Sequence, residues 1–387
     1  MVEVKVLRTR DEIETLRDFW SSCSPARDAD LDFFLFIVDL FAEALRPHVI
    51  AVYRNGVPEA LIAGRLELST IRIKAGYLTL PAPKMRILRF VHGGWLGEIS
   101  DDAAKLLVSA VMDALARREA DAAEFQFPDL RSSLVHWAKR LPASLCRDRN
   151  IRPQTRRVRD LLESARGSQP DFSQNERYQQ RKRARRIEQD FSRSEVVHFR
   201  SVDDVEHLAR DAEEIARKSY QRGIGAGFAD TPVIRERLKF EAEKGWLRAS
   251  ILYLNGAPSA FWIGSLRNRV FLSDYLAFDS SCAQYSPGMY LIMLVIEGLR
   301  KDAGDDQRLV ECIDFGIGDA IYKERLSNRH WDEGVVYIFS SSIKGIYTNL
   351  TRTAVGLLRS SATVAIGNTR IQHAIKRIWR QRAVSTR

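Results

Sequence analysis

Two stretches of the chain share one pattern of hydrophobic and polar positions. Residues 52–66 are VYRNGVPEALIAGRL and residues 252–266 are LYLNGAPSAFWIGSL, so 7 of 15 positions are identical at a constant offset of 200. In both stretches an apolar segment leads into Asn-Gly, a pair that tolerates the positive φ of a tight turn, and a second apolar segment follows. The pattern predicts a β-hairpin in each stretch.

The segments around the two hairpins occur in the same order. A charged, helix-like segment precedes each hairpin, at residues 11–23 and 203–220. An apolar helix-like segment follows each hairpin, at residues 100–118 and 286–301, and leads to a short strand-like segment. Because chance would not preserve this order, we interpret the chain as two α/β (α+β) units of the same build, produced by duplication.

The length of 387 residues also favours two domains, because single cores seldom grow beyond ~250–300 residues. We predict a first domain at residues 1–150, a linker at 151–175, a second domain at 176–340 and a basic helical tail at 341–387. The linker is predicted because its stretch mixes bases with Gly, Ser and Pro.

The composition is that of a globular protein, with 45% hydrophobic and 28% charged residues. The four cysteines are scattered and the seven histidines form no HExxH pair, so we expect neither a metal site nor a disulfide framework. The N-terminus carries acids and bases before any apolar segment, and the longest apolar runs fall far short of the ~20 residues that span a bilayer. We therefore predict a cytoplasmic location.

The net charge of +10 is concentrated at the C-terminal end, since residues 334–387 hold nine bases and no acid. Within them, residues 371–382 (IQHAIKRIWRQR) place apolar residues at helical spacing with bases opposite, which predicts a basic amphipathic helix. Such a helix either binds an anionic membrane surface, here the inner face of the cell membrane, or docks on the protein body. The sequence leaves both open.

A second basic segment runs from Arg177 to Arg186 and carries six bases in ten residues. On a helix, Arg177, Arg181 and Arg185 form one line at i, i+4 and i+8. One interpretation is a solvated helix face. The other is a phosphate-facing surface for CoA, for a nucleotide-sugar acceptor or for tRNA.

A combination of motifs covers about 50 residues, 274–326. A strand ends near Asp279, Tyr-Ser-Pro-Gly (285–288) opens a helix, Asp-Phe-Gly-Ile-Gly (314–318) follows, and Tyr322-Lys323 comes last. This combination resembles the CelD-type branch of the GNAT acyltransferase superfamily, which is found in cellulose and exopolysaccharide gene neighbourhoods and is related to the Fem-type peptidyltransferases. The resemblance implies two tandem GNAT-like domains, each with a mixed, largely antiparallel sheet flanked by helices.

The donor site is predicted at Tyr285-Ser286-Pro287-Gly288, which stands in place of the usual GNAT pyrophosphate loop, Arg/Gln-x-x-Gly-x-Gly/Ala. Ser286 suits the N-cap, Pro287 suits the first helical position, and Gly288 would let a ligand approach the backbone. The free N–H groups and dipole of that helix end favour a pyrophosphate, whereas an ordinary capped core helix is the alternative. Acyl-CoA is the default donor, and another activated acyl or aminoacyl donor stays open.

The Asp314–Gly318 motif follows a strand-like segment. Gly316 and Gly318 suit a bend where a strand opens beside a ligand, and we count both among the donor-binding candidates. Asp314 is either a general base for an attacking amine or a cap for the next helix.

Three more residues complete the predicted site. By resemblance to GNAT relatives, the Tyr322 phenol would protonate the departing thiolate. Lys323 would contact donor phosphates or a nearby carboxylate, and a surface Tyr-Lys pair is the alternative for both residues. Asp274 is an acid within a predicted strand, where acids are depleted unless they are paired or functional, so it is a candidate for acceptor binding.

These residues and the resemblance predict an N-acyltransferase that moves an acyl group, acetyl from acetyl-CoA, to an amine or hydroxyl by direct attack. The acceptor is predicted to be a small molecule or a saccharide, such as a polysaccharide precursor. Acyl-CoA is a co-substrate, and no permanently bound cofactor is expected. The rivals are a Fem-like transferase that uses aminoacyl-tRNA and an inactive scaffold for polysaccharide synthesis. The first domain lacks the motifs and is expected to be a degenerate copy that shapes the acceptor cleft.

Overall fold

The computed structural model describes residues 1–75, 78–161, 172–219, 222, 227–301, 310–318 and 320–365. These residues form two compact units. Unit 1 holds residues 1–154 and 332–365, and unit 2 holds residues 155–331.

Groups of strands are separated by helices along the chain. In chain order the strands are β1 (Val2–Leu7), β2 (Ala44–Arg54), β3 (Val57–Ser69), β4 (Ile73–Ala75), β5 (Leu78–Leu80), β6 (Met85–Gly97), β7 (Ala122–Phe125), β8 (Gln154–Asp160), β9 (Ser194–Phe199), β10 (Leu247–Leu254), β11 (Ala257–Arg267), β12 (Val270–Phe278), β13 (Cys312–Ile317), β14 (Arg329–Glu333) and β15 (Val336–Phe339).

The helices are α1 (Arg10–Glu14), α2 (Arg17–Ser22), α3 (Leu31–Leu40), α4 (Asp101–Ala116), α5 (Ser133–Arg140), α6 (Gln174–Asp190), α7 (Val205–Arg217), α8 (Pro232–Glu243), α9 (Pro287–Lys301), α10 (Ile321–Leu326) and α11 (Ile343–Ala365). Short 3₁₀ helices lie at Arg27–Ala29 and Ser280–Tyr285.

Each unit is built on one mixed sheet. The sheet of unit 1 has the order β1-β2-β3-β6-β7-β15, and that of unit 2 has the order β14-β8-β13-β12-β11-β10-β9. One pair in each sheet is parallel, β6 with β7 and β12 with β13, and the other pairs with a described register are antiparallel. Helices α4 and α5 cover one face of the first sheet, and α6 and α9 cover one face of the second. The predicted fold class is confirmed.

The predicted hairpins are confirmed, and the register shows why both copies keep Asn-Gly. Asn55 and Asn255 have φ values of 53° and 49°, and the glycines after them have φ values of 84° and 80°. The Asn55 carboxamide oxygen accepts a 2.6 Å hydrogen bond from the Met1 amino group, and that of Asn255 accepts a 3.1 Å bond from the Arg193 backbone N–H. Each turn therefore also holds the segment that enters an edge strand of its own sheet, β1 or β9.

In each unit, the second strand of the parallel pair has a further neighbour that comes from a distant part of the chain. β15 pairs antiparallel with β7 in unit 1, and β8 pairs antiparallel with β13 in unit 2. This corrects two predicted boundaries, because β8 lies in the predicted linker 151–175 and β15 lies in the predicted domain 176–340. The physical reason is that an uncovered strand edge binds any suitable strand, whatever its place in the sequence.

The first part of the predicted tail 341–387 belongs to unit 1. On α11 the Asn349 side chain is buried and its amide donates 2.9 Å hydrogen bonds to the carbonyl groups of Leu145 and Arg147. The predicted amphipathic helix 371–382 lies outside the described residues. Among the helices that are described, none is long and apolar enough to cross a membrane.

A buried histidine makes the stability of unit 1 depend on pH. The His48 side chain on β2 is fully buried, and its Nδ1 lies 3.0 Å from the Arg46 guanidinium. Burial, helped by the charges of Arg46 and Arg8 and opposed by that of Glu119, lowers the pKa of His48 to about 4. The unfolded chain binds this proton near pH 6.5. The contribution of neutral His48 to the free energy of unfolding is therefore fully present above pH 6.5, and it is lost as the pH falls toward 4.

We expect His48→Met to flatten this pH dependence. The wild-type free energy of unfolding should fall by up to about 3 kcal/mol more than that of the variant between pH 6.5 and pH 4. Urea titrations at several pH values measure the difference. The exposed His136→Gln should behave like wild type. Equal pH slopes for wild type and His48→Met would show that His48 is not the responsible group.

Candidate functional site

The parallel strands β12 and β13 of unit 2 pair over only a short distance and then separate. Their register runs from Val270 opposite Cys312 to Leu272 opposite Asp314, while β12 continues to Phe278. On β12 Asp274 is an extra residue, because Ile263 faces Tyr275 and Gly264 faces Ser273 on the neighbouring strand. Such a bulge increases the local twist and turns the strand away.

Glycine allows the matching bend on β13. Gly316 has a φ of 70° and Gly318 a φ of 114°, values that favour glycine. The register between β13 and β8 also shifts between Asp314 and Ile317. As a result, the two parallel strands enclose an opening, and within the described residues the β12 edge that faces it has no strand partner beyond Leu272.

The Asp314 carboxylate fixes this bend. One oxygen forms an ion pair with the Arg156 guanidinium of β8, and the other accepts a 2.7 Å hydrogen bond from the Gly316 N–H. The side chains of Arg156 and Asp314 are only 8% and 15% exposed. Both carboxylate oxygens accept hydrogen bonds, so Asp314 has the turn-acceptor role that was one of its two predicted roles, and the general-base role stays a prediction.

Lys323 lies beneath the same bend. Its Nζ donates a 2.7 Å hydrogen bond to the Ile317 carbonyl. Burial lowers the pKa of Lys323, the Asp314 carboxylate opposes this effect, and the Arg156 charge adds to it. The ammonium group was predicted to contact donor phosphates or a nearby carboxylate. The structure brings it near the Asp314 carboxylate, and the phosphate contact stays a prediction.

Tyr322 is the neighbouring residue on α10. Its ring contacts Phe315 edge to face, with the ring centroids 6.2 Å apart, and it packs against the hydrophobic core under α9. Phe315 is buried, and it lies on β13 directly between Asp314 and Gly316 in the sequence. The packing thus fixes the orientation of the Tyr322 ring next to the bend.

The start of α9 differs from the prediction in two details. Ser286 is left-handed, with φ 51° and ψ 51°, and its carbonyl accepts the 3.0 Å hydrogen bond from Tyr290 that starts the helix. Its hydroxyl caps no backbone group among the described residues. Gly288 is buried, and a Cβ at this position would lie 3.2 Å from the Phe278 ring. Close helix–strand packing is therefore one reason for a glycine here, and the ligand approach stays a prediction.

Tyr285 precedes this helix start and has partners of its own. Its hydroxyl donates a 2.7 Å hydrogen bond to the Asp190 carboxylate, and its ring packs edge to face on Phe191 at 5.0 Å. The predicted donor-binding residue therefore joins the 3₁₀ helix to the end of α6.

The two acids of β12 have different roles. The Asp274 carboxylate lies 3.6 Å from the Arg237 guanidinium of α8, so it belongs to the face opposite α9. Asp279 accepts hydrogen bonds of 2.9 Å and 2.7 Å from the Ser281 backbone and hydroxyl, and it lies 3.4 Å from the Lys218 ammonium. Burial alone would raise the pKa of Asp279, but these contacts lower it. Asp279 thus begins the 3₁₀ turn.

The structure brings five predicted residues together at the end of β13: Asp314, Gly316, Gly318, Tyr322 and Lys323. The residues at the start of α9 follow β12, the other strand of the opening, and Asp274 faces α8. Sequence reasoning missed Arg156, the partner of Asp314. The only signal was the polar and apolar alternation of QTRRVRD, in which Arg156 and Val158 are both buried. The described residues contain no cluster of three or more His, Cys, Asp or Glu side chains that could hold a metal ion.

Comparisons with known proteins agree with the fold. Residues 176–324 match the family model described as "Acetyltransferase (GNAT) domain". A tandem GNAT protein from the clavulanic acid biosynthesis pathway has 13% sequence identity and a TM-score of 0.52, over 88% of this chain and 99% of the other. The C-terminal domain of a protein assigned as a lysylphosphatidylglycerol synthetase, from Agrobacterium fabrum, has 12% identity and a TM-score of 0.50, over 88% and 96%.

FemX has 10% identity and a TM-score of 0.49, over 76% of this chain and 88% of its own. No curated protein matches the sequence. The identities are low, so the structural likeness shows the fold alone. The predicted resemblance is confirmed as far as a GNAT acetyltransferase domain in residues 176–324, and the CelD-type branch stays a prediction.

Proposed function

We propose that unit 2 transfers an acyl group from an acyl thioester, acetyl-CoA by default, to an amine or hydroxyl acceptor. The observation that carries this proposal is the opening between β12 and β13, with α9 starting after one strand and the Asp314–Lys323 segment following the other. A GNAT acetyltransferase domain in the same residues supports it.

The opening offers both ends of such a donor a suitable surface. An extended thioester arm that contains amides can hydrogen-bond to the β12 edge beyond Leu272, as an added strand would. A pyrophosphate can then meet the first backbone N–H groups of α9, where the helix dipole favours negative charge. This placement keeps the predicted donor site at the helix start but assigns binding to backbone groups, because Tyr285 and Gly288 have partners of their own.

The chemistry requires one new bond and one proton transfer to sulfur. The acceptor nitrogen or oxygen attacks the thioester carbonyl carbon, the carbon–sulfur bond breaks, and the thiolate takes the Tyr322 phenolic proton. The acceptor loses a proton to solvent, and the phenolate regains one from solvent. Asp314, Lys323 and Arg156 hold the bend that orients this segment. The proposal keeps Asp274, which forms an ion pair with Arg237 on the α8 face, as a candidate for acceptor binding.

The acceptor in this proposal is a small molecule or a saccharide, such as a polysaccharide precursor. The support for a saccharide is the resemblance of residues 274–326 to the CelD-type branch. In the same proposal, unit 1 acts as a degenerate copy, because after β7 it has Phe-Pro-Asp instead of the Gly-Ile-Gly bend.

One observation favours a second candidate, transfer from aminoacyl-tRNA. Arg177, Arg181 and Arg185 are all exposed on α6, whereas Arg183 turns inward and lies 3.9 Å from the Met293 sulfur. The predicted line of bases is thus available to a polyanion. The domain from the protein assigned as a lysylphosphatidylglycerol synthetase has a similar fold, and this likeness concerns the fold alone.

We expect acetyl-CoA and CoA to raise the melting temperature of the full chain. A ligand at 100 times its Kd stabilises the folded state by about 2.7 kcal/mol, so a titration to millimolar concentration reveals even weak binding. The thermal shift is measured in parallel with charged tRNA and with the variant Arg177→Gln/Arg181→Gln/Arg185→Gln. If CoA gives no shift while tRNA gives one that the triple variant loses, the acyl-CoA proposal fails and the tRNA rival replaces it.

A further inference from the structure

Unit 1 contains a cavity of about 250 Å³ that the acyltransferase site does not use. Four cationic side chains line it, and the described lining includes no acidic residue. The cations are Arg72 and Lys74 at β4, Arg152 before β8, and Arg352 on α11. The carboxamides of Asn150 and Gln154 add neutral hydrogen-bonding groups to the same wall.

The inner cation, Arg352, is held in place from two sides. Its guanidinium lies 3.2 Å from the Asp148 carboxylate, which is buried behind the wall, and it stacks 4.2 Å over the Tyr337 ring. The Asn150 amide donates a 3.0 Å hydrogen bond to the Arg352 carbonyl. The Nε of Arg352 is buried and donates to no acceptor among the described residues. These contacts fix the position of the guanidinium in the cavity wall.

The outer cations lie at the mouth of the cavity. Arg72, Lys74 and Arg152 are exposed. Neither Arg72 nor Lys74 forms an ion pair within the described part of the chain, whereas Arg352 is paired with Asp148. Like charges gathered around one concave surface repel each other and raise the local concentration of anions. This arrangement is not explained by the packing of the fold.

We propose that this cavity binds a phosphate group, carried by a small phosphorylated molecule or by a lipid headgroup. Guanidinium groups bind phosphate oxygens through paired N–H donors, and a lysine ammonium adds a point charge. A volume of about 250 Å³ holds a phosphate with a small substituent. The site lies outside residues 176–324, so it is separate from the proposed acyl transfer and does not depend on it.

Calorimetric titration of the full chain with inorganic phosphate and with pyrophosphate, at constant ionic strength, tests the proposal. We expect saturable binding that weakens by at least about tenfold, or 1.4 kcal/mol, in Arg72→Gln/Lys74→Gln. The matched control Arg117→Gln/Lys139→Gln removes two exposed charges elsewhere in unit 1 and should bind like wild type. Both substituted pairs are exposed, so folding should be kept, and circular dichroism verifies it.

Phosphatidylcholine vesicles with and without phosphatidic acid identify the source of the phosphate. Vesicle binding that only Arg72→Gln/Lys74→Gln loses assigns a lipid headgroup. If both variants bind the vesicles, or if wild type does not bind them, the ligand is a soluble phosphorylated molecule. This conclusion requires that phosphate binding itself depends on Arg72 and Lys74. The proposal is overturned if neither phosphate nor pyrophosphate binds, or if both variants bind them as wild type does.

Discussion

Replacing Tyr322 with phenylalanine should lower the turnover number about 10²–10⁴-fold, the range that general acid catalysis contributes. The substitution removes the phenolic proton that the proposed mechanism gives to the thiolate, but it keeps the ring that contacts Phe315 edge to face. Affinity for acyl-CoA should change little, because the loss falls on the transition state. Single-turnover kinetics separate the two quantities.

The control for this experiment is Tyr178→Phe, which removes a phenol from an exposed position on α6. It should have wild-type turnover, and circular dichroism should show both variants folded. A Tyr322→Phe enzyme with unchanged single-turnover rate would make Tyr322 a packing residue, and the proton donor would then have to be another group or solvent.

The second large effect concerns stability. Arg156→Met should lower the free energy of unfolding of unit 2 by about 3–5 kcal/mol, the cost of leaving one charge of a buried ion pair without its partner. The Asp314 carboxylate is 15% exposed and would keep only the Gly316 N–H and the nearby Lys323 charge. Urea unfolding followed by hydrogen exchange in β13 measures the change where it arises.

Two further variants make this test specific. Arg156→Met/Asp314→Leu removes both charges and should recover part of the loss, since a buried pair can be replaced by apolar groups at little cost. Arg329→Met breaks the exposed contact with Asp160, 3.5 Å away, and should cost less than about 1 kcal/mol. If Arg156→Met costs no more than Arg329→Met, the pair does not hold β8 to β13.

The hairpins and the order of elements could be predicted because their causes are local. Asn-Gly at 55–56 and 255–256 determines the turn, and alternating apolar residues determine which face of each strand is buried. Gly64 and Gly264 show how far the duplication extends. A Cβ would lie 2.6 Å from the Phe90 ring at the first position and 2.3 Å from the Leu272 carbonyl at the second. Both glycines occupy the same place beside a bulged neighbouring strand.

The parts that could not be predicted depend on residues far apart in sequence. Arg156 and Asp314 are separated by 158 positions, and nothing near Arg156 marks it as the partner of that carboxylate. The contact of Gly288 with Phe278 and the left-handed Ser286 likewise follow from how α9 packs on β12. Short strands such as β15 have too little pattern of their own to reveal the sheet that they complete.

The distant origin of β15 affects how the protein can fold during synthesis. The edge of β7 lacks its strand partner until the ribosome has made roughly 210 more residues, which takes about 10–40 s at 5–20 residues per second. An N-terminal fragment that stops before residue 336 would therefore expose this apolar edge and tend to aggregate. Unit 1 starts the chain, but its sheet is completed only after the strands of unit 2 have been synthesised.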